Sequence, residues 1–115
     1  MAVQQEFHAT VDLRQAQSEQ DLHAAFKAAL QLPDFYGMNW SAWIDCLSDW
    51  STANGPGMTG VVLSAEESLC IRVLGAEKFK RAAPRAYDLL LECINDVNER
   101  MVHAGDARRL VITFE

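Results

Sequence analysis

The chain has 115 residues, of which half are hydrophobic and 23% are charged, as expected for one folded domain spanning residues 1–115. Its formal net charge of −6 argues against direct nucleic-acid binding, and no apolar run reaches the ~18 residues that a membrane span needs. Three cysteines without a CxxC motif, and an N-terminus without the features of a secretory signal, predict a cytoplasmic protein with reduced thiols.

The chain begins with a predicted strand and an amphipathic helix. Apolar and polar residues alternate over residues 7–13, which is typical of a half-buried strand. Residues 19–31 have the apolar spacing of a helix that packs on a core, with Ser18 as its N-cap. Pro33 is expected to end this helix.

A turn at residues 34–37 precedes a second predicted helix, and Gly37 is free to adopt a positive φ in that turn. Asn39 is the expected N-cap of a helix over residues 40–50. The arc expected to face the core contains Trp40, Trp43, Ile44, Leu47 and Trp50. The opposite, weakly polar arc contains Ser41, Asp45, Ser48 and Asp49.

In the second half of the chain, the residue pattern predicts a loop at residues 51–60, a buried strand at 69–74, a long helix beginning at Pro84 and a strand at 110–114. The last strand is almost continuously apolar, which favours a central position in the sheet. Strands separated by helices form right-handed crossovers. The order therefore predicts an α/β fold with a small three-stranded parallel sheet flanked by helices.

The charge distribution suggests a surface for a basic partner. No Lys, Arg or His occurs between Lys27 and Arg72, and five of the ten aromatic residues lie within residues 35–50. An acidic, aromatic segment without basic residues is a plausible contact surface for a cationic protein. The alternative is a buried aromatic helix with solvated acids.

Common enzyme and metal-site motifs are absent from the sequence, which predicts a protein without catalytic activity, cofactor or metal. The histidines are isolated and are expected at the surface: His8, His23 and His103. The cysteines are expected to be structural: Cys46, Cys70 and Cys93. A less favoured alternative is a small hydrolase that uses Cys46 or Asp45 with a distant histidine.

Four stretches resemble the barstar family, intracellular inhibitors of secreted bacterial ribonucleases: residues 21–30, residues 32–37, Asn39 and residues 45–47. The resemblance is specific over residues 21–50 and otherwise depends on element order, with a loop-rich insertion at 51–68. It implies a barstar-like three-layer fold.

The resemblance also implies a function and a binding site. In this family the second helix and the preceding turn block the ribonuclease active site, and a helix aspartate occupies the substrate phosphate position. Asp45 matches that aspartate, and Asp49 lies on the same face. The other matching contact positions are Phe35, Tyr36, Gly37, Asn39, Ser41, Ile44, Ser48 and Trp50. The implied partner is a basic bacterial ribonuclease or related toxin, bound one to one.

The sequence departs from the family pattern at several contact positions. Ser41 replaces a second aspartate, Ile44 replaces a tryptophan and Phe35 replaces a tyrosine. A family glutamate on the last helix has two candidate counterparts, Glu99 and Asp96, and the oppositely charged Arg100 is equally near. Fewer acids predict weaker attraction to the usual target, so a different ribonuclease or another basic toxin stays open. An adaptor role toward an endogenous basic protein is a further alternative.

Overall fold

A computed structural model describes residues 7–115. The elements follow in the order β1 (Ala9–Asp12), α1 (Glu19–Leu30), α2 (Trp40–Leu47), β2 (Ser51–Thr52), β3 (Val62–Leu63), β4 (Leu69–Leu74), α3 (Ala76–Ala82), α4 (Pro84–His103) and β5 (Leu110–Phe114). No helix within the described residues is long and apolar enough to cross a membrane.

The main sheet has three parallel strands in the order β1-β4-β5, which confirms the predicted α/β architecture. The predicted central position of the last strand is wrong, because β4 lies between β1 and β5. Every second residue of β4 is buried, whereas only Leu110 of β5 is fully buried. The apolar run in β5 instead provides partners for α4, where the Tyr87 ring packs edge-on against Phe114 at 5.7 Å.

The first helix has the predicted start and ends one residue early. The Ser18 hydroxyl accepts a hydrogen bond from the Asp21 amide at 3.2 Å, and the Asp21 carboxylate accepts one from the Gln17 amide. Gln31 adopts a left-handed conformation with φ of 51° and closes the helix. Such a residue satisfies the last helical carbonyls and reverses the chain. It leads the chain directly into the turn before α2.

The segment after α2 is more ordered than the predicted loop. Residues of β2 and β3 pair in parallel, and the Ser51 amide donates to the buried Thr59 hydroxyl at 3.0 Å. The Gly57 amide donates to the Ser51 hydroxyl at 2.8 Å. A Cβ on Gly57 would lie 2.5 Å from the carbonyl carbon of Trp50, so this close approach requires glycine. The segment therefore fixes the chain immediately after α2.

Candidate functional site

The turn before α2 places an aromatic side chain in solvent. The Tyr36 amide donates to the Pro33 carbonyl at 2.9 Å, which closes a β-turn over residues 33–36. Phe35 lies at the tip of this turn and is 73% exposed. Tyr36 is buried beneath it. Adjacent aromatic residues of one turn therefore have different environments.

Gly37 has a different role from the predicted one. The positive φ in this segment belongs to Met38, at 55°, and not to Gly37. A Cβ on Gly37 would lie 2.9 Å from the Asn39 side-chain nitrogen. Asn39 is the predicted N-cap of α2, and its side-chain oxygen accepts a hydrogen bond from the Ala42 amide at 2.9 Å. Glycine therefore leaves space for the capping side chain.

The second helix ends at Leu47, so its predicted extension to Trp50 is wrong. The Ser48 hydroxyl donates to the Ile44 carbonyl, and the Trp50 indole donates to the Leu47 carbonyl, both at 2.5 Å. These side-chain bonds satisfy carbonyls that another helical turn would have used. Trp50 is buried, and the Arg108 guanidinium lies 5.1 Å from the centre of its ring.

The structure divides the predicted contact residues into accessible and buried groups. The exposed residues are Phe35, Gly37, Asn39, Ser41, Asp45 and Asp49. Two residues are half-buried, namely Ile44 and Ser48. Tyr36 and Trp50 are buried, and each forms a side-chain hydrogen bond within the protein. Both can support a contact surface but expose little area to a partner.

Tyr36 belongs to a buried polar cluster that includes a histidine. Its hydroxyl shares a hydrogen bond with Nδ1 of His23, which is completely buried, so the predicted surface position of His23 is wrong. The Trp40 ring packs edge-on against His23 at 4.7 Å, and its indole donates to the Glu19 carboxylate at 2.8 Å. The spacing of His23 with Phe26, three residues later, would have indicated this burial.

Burial changes the protonation behaviour of this cluster. Desolvation lowers the pKa of the His23 imidazole, although the Glu19 carboxylate opposes this shift. The same effect raises the pKa of the Tyr36 hydroxyl well above its usual range. Both groups are therefore neutral at pH 7, and the turn that presents Phe35 is attached to α1 by neutral hydrogen-bonding groups.

The predicted anchor Asp45 forms an ion pair with the last helix. Nη1 of Arg100 donates to Oδ1 of Asp45 at 2.9 Å, and the two side chains are 55% and 62% exposed respectively. The sequence around Asp45 contains no basic residue, but the fold brings the basic side chain of Arg100 next to it. Sequence reasoning noted Arg100 near the family glutamate position but missed this contact, which depends on how α4 packs against α2.

Among residues 7–115, the three cysteine thiols do not have the properties of an activated nucleophile. Burial raises the pKa of all three thiols, to about 11 for Cys93. An activated cysteine requires the opposite shift. His8 contacts the Glu67 carboxylate at 2.9 Å through Nε2, and within residues 7–115 no group of three potential ligands could hold a metal ion. The described geometry does not favour the hydrolase alternative.

Comparison with known proteins identifies the family. A family model described as Barstar (barnase inhibitor) matches residues 6–114. No match was found among curated proteins. The family match extends beyond the 21–50 segment that resembles barstar most clearly, and it includes the loop-rich insertion at 51–68 and the last helix. The chain therefore belongs to the barstar family of barnase inhibitors.

Proposed function

We propose that this barnase-inhibitor-like protein forms a one-to-one complex with a basic ribonuclease or related toxin and blocks its active site without catalysis. We call the accessible contact surface the recognition face. It consists of Phe35, Gly37, Asn39, Ser41, Ile44, Asp45, Ser48 and Asp49. Tyr36 and Trp50 support this face from beneath. The same face could bind the cationic active site of a toxin of another class.

The observation that supports this proposal most directly is the exposed Asp45 carboxylate on a firmly attached helix. Trp43 and Leu47 of the same helix are completely buried, so the backbone beneath Asp45 is held in place before any partner arrives. A ribonuclease site that binds phosphate presents cationic hydrogen-bond donors. A fixed carboxylate can accept bonds from several of these donors at once.

The shape of the turn complements this charge. Phe35 projects into solvent one turn before the helix, and exposed aromatic side chains of this kind often become central contacts of an interface. Ser41 and Ser48 lie on the same side of the helix as Asp45, at helical spacing. The face therefore combines one apolar projection, one charged group and small polar residues.

The test is a titration of a purified barnase-type ribonuclease with wild-type protein and with Asp45→Ala, followed by RNA cleavage. We expect inhibition to be complete near one equivalent of wild type. Asp45→Ala should fold normally and lose about 2 kcal/mol or more of binding free energy, an effect for which the barnase–barstar complex is itself a reference case. Asp88→Ala is the matched control, since Asp88 is an exposed acid near the start of α4.

The two negative results have different meanings. Equal inhibition by wild type and folded Asp45→Ala would remove Asp45 from the interface. A wild-type protein that fails to inhibit at a large excess would exclude barnase-type enzymes as the target. In that case the adaptor alternative would be tested by isolating complexes with endogenous basic proteins.

A further inference from the structure

We propose that Arg100 determines the partner specificity of the recognition face by competing within the molecule for Asp45. This inference deepens the function proposed above and rests on it. The Arg100 guanidinium occupies one oxygen of the carboxylate that a cationic partner would need. A cationic partner therefore has to displace Arg100 from this oxygen or share the carboxylate with it, and in both cases Arg100 weakens the binding of a cationic cleft.

The geometry of the pair favours competition over a structural role. Arg100 contacts Asp45 through a single nitrogen–oxygen contact of 2.9 Å, and more than half of each side chain is exposed. Exposed pairs of this kind contribute about 0–1 kcal/mol to folding. Because the pair contributes so little to stability, its main consequence is the charge that the protein presents to a partner.

The surroundings of Arg100 give its side chain space to move. A groove of about 350 Å³ lies beside the pair, between the end of α2 and the end of α4, and Ser48, Arg100 and Asp106 contribute to its lining. Asp106 is already paired with Arg108 through contacts of 2.7 to 3.2 Å. The groove can therefore receive a displaced Arg100 side chain or a side chain of the partner. Because Asp106 is already paired with Arg108, it competes only weakly for either of them.

Two effects of Arg100 act on an approaching cationic cleft. The guanidinium must leave Asp45 before a cation of the partner can take its place, and it repels that cation during approach. Like charges brought together at an interface weaken binding and slow electrostatically steered association. Arg100 therefore disfavours uniformly cationic clefts, and its removal should improve their binding.

The experiment compares Arg100→Gln and Arg100→Glu with wild type against a purified barnase-type ribonuclease. We expect Arg100→Gln to lower the inhibition constant about three- to tenfold, and Arg100→Glu to lower it further. Association should also become faster and more sensitive to salt. Arg85→Gln is the matched control: it changes net charge equally and lies at the opposite end of α4, roughly 22 Å away at 1.5 Å per residue.

A double-mutant cycle separates competition for Asp45 from a general charge effect. The gain from Arg100→Gln should be clearly smaller in an Asp45→Asn background, because competition for Asp45 is then absent and only repulsion by the Arg100 charge remains. Urea unfolding should show that all variants keep wild-type stability within about 1 kcal/mol. An equal gain in both backgrounds would overturn the competition.

The outcomes also separate this inference from the proposed function. If wild type inhibits and Asp45→Ala weakens inhibition, but Arg100→Gln leaves it unchanged or weakens it, the role of Arg100 is wrong and the function stands. Inhibition by Arg100→Glu where wild type fails would support both. If neither wild type nor Arg100→Glu inhibits, the proposed ribonuclease target itself fails.

Discussion

The two faces of α2 differ in what they contact. On the inner face, Trp43 and Leu47 are completely buried, and the Trp43 ring packs edge-on against Phe26 at 5.5 Å. On the outer face, Ser41 and Asp45 are exposed. Because α2 has eight residues, or about two turns, each face consists of only a few side chains. Substitutions on the inner face should change the free energy of unfolding, whereas substitutions on the outer face should change partner affinity.

The largest expected effect is on the inner face. Trp43→Ala removes a completely buried indole and leaves a cavity between α2 and α1, so it should cost about 3–5 kcal/mol of unfolding free energy. Urea denaturation followed by circular dichroism measures this loss. The variant should also lose inhibition, but only in proportion to the fraction of unfolded protein.

Trp43→Phe is the matched control for this prediction. Within residues 7–115 the buried Trp43 indole nitrogen has no hydrogen-bond partner, so phenylalanine removes an unsatisfied donor while it keeps most of the apolar contact. We expect it to cost much less than alanine. A loss below about 1 kcal/mol for Trp43→Ala would show that the inner face does not hold the helix.

The fold was predictable where short-range patterns decide the structure. The helix caps at Ser18 and Asn39 follow from local hydrogen bonding, and the three parallel strands follow from apolar runs separated by helices. The position of β5 was not predictable from its apolar run. Such a run indicates burial by helices as well as by neighbouring strands.

The residues of the candidate site were proposed from the sequence, but their environment was not predictable from it. The environment of Tyr36, which lies in the turn, includes His23 of α1, and that of Trp50 includes Arg108, which lies 58 positions later in the sequence. The Asp45–Arg100 pair likewise joins residues 55 positions apart. Periodicity assigns residues to faces of their own element, but the contacts between elements depend on how the helices pack.

A smaller effect is expected on the pH dependence of the free energy of unfolding. It tests the contribution of buried His23, which joins the turn to α1 through its hydrogen bond with Tyr36. Burial lowers the pKa of His23 in the folded protein, while the unfolded chain keeps the ordinary value of 6.5. Unfolding therefore takes up a proton as the pH falls below 6.5. The stabilisation is complete above pH 6.5 and is lost as the pH falls toward the folded-state pKa, by up to about 1.4 kcal/mol per pH unit.

Urea unfolding of wild type and His23→Gln between pH 7.5 and 5.5 checks this prediction. Glutamine cannot be protonated in this range, so its stability should depend less on pH. The same pH slope in both proteins would assign the dependence to groups other than His23.

The smallest expected effect is on the outer side of the turn. Phe35 is 73% exposed, so Phe35→Ala should change the free energy of unfolding by less than about 0.5 kcal/mol. It should raise the inhibition constant about fivefold, since an aromatic contact in an interface commonly contributes 1 kcal/mol or more. Val62→Ala is the matched control, because Val62 is a 63% exposed apolar residue outside the recognition face. Unchanged inhibition by Phe35→Ala would restrict the interface to the helix, and a clear loss of stability would show that the ring supports the turn instead.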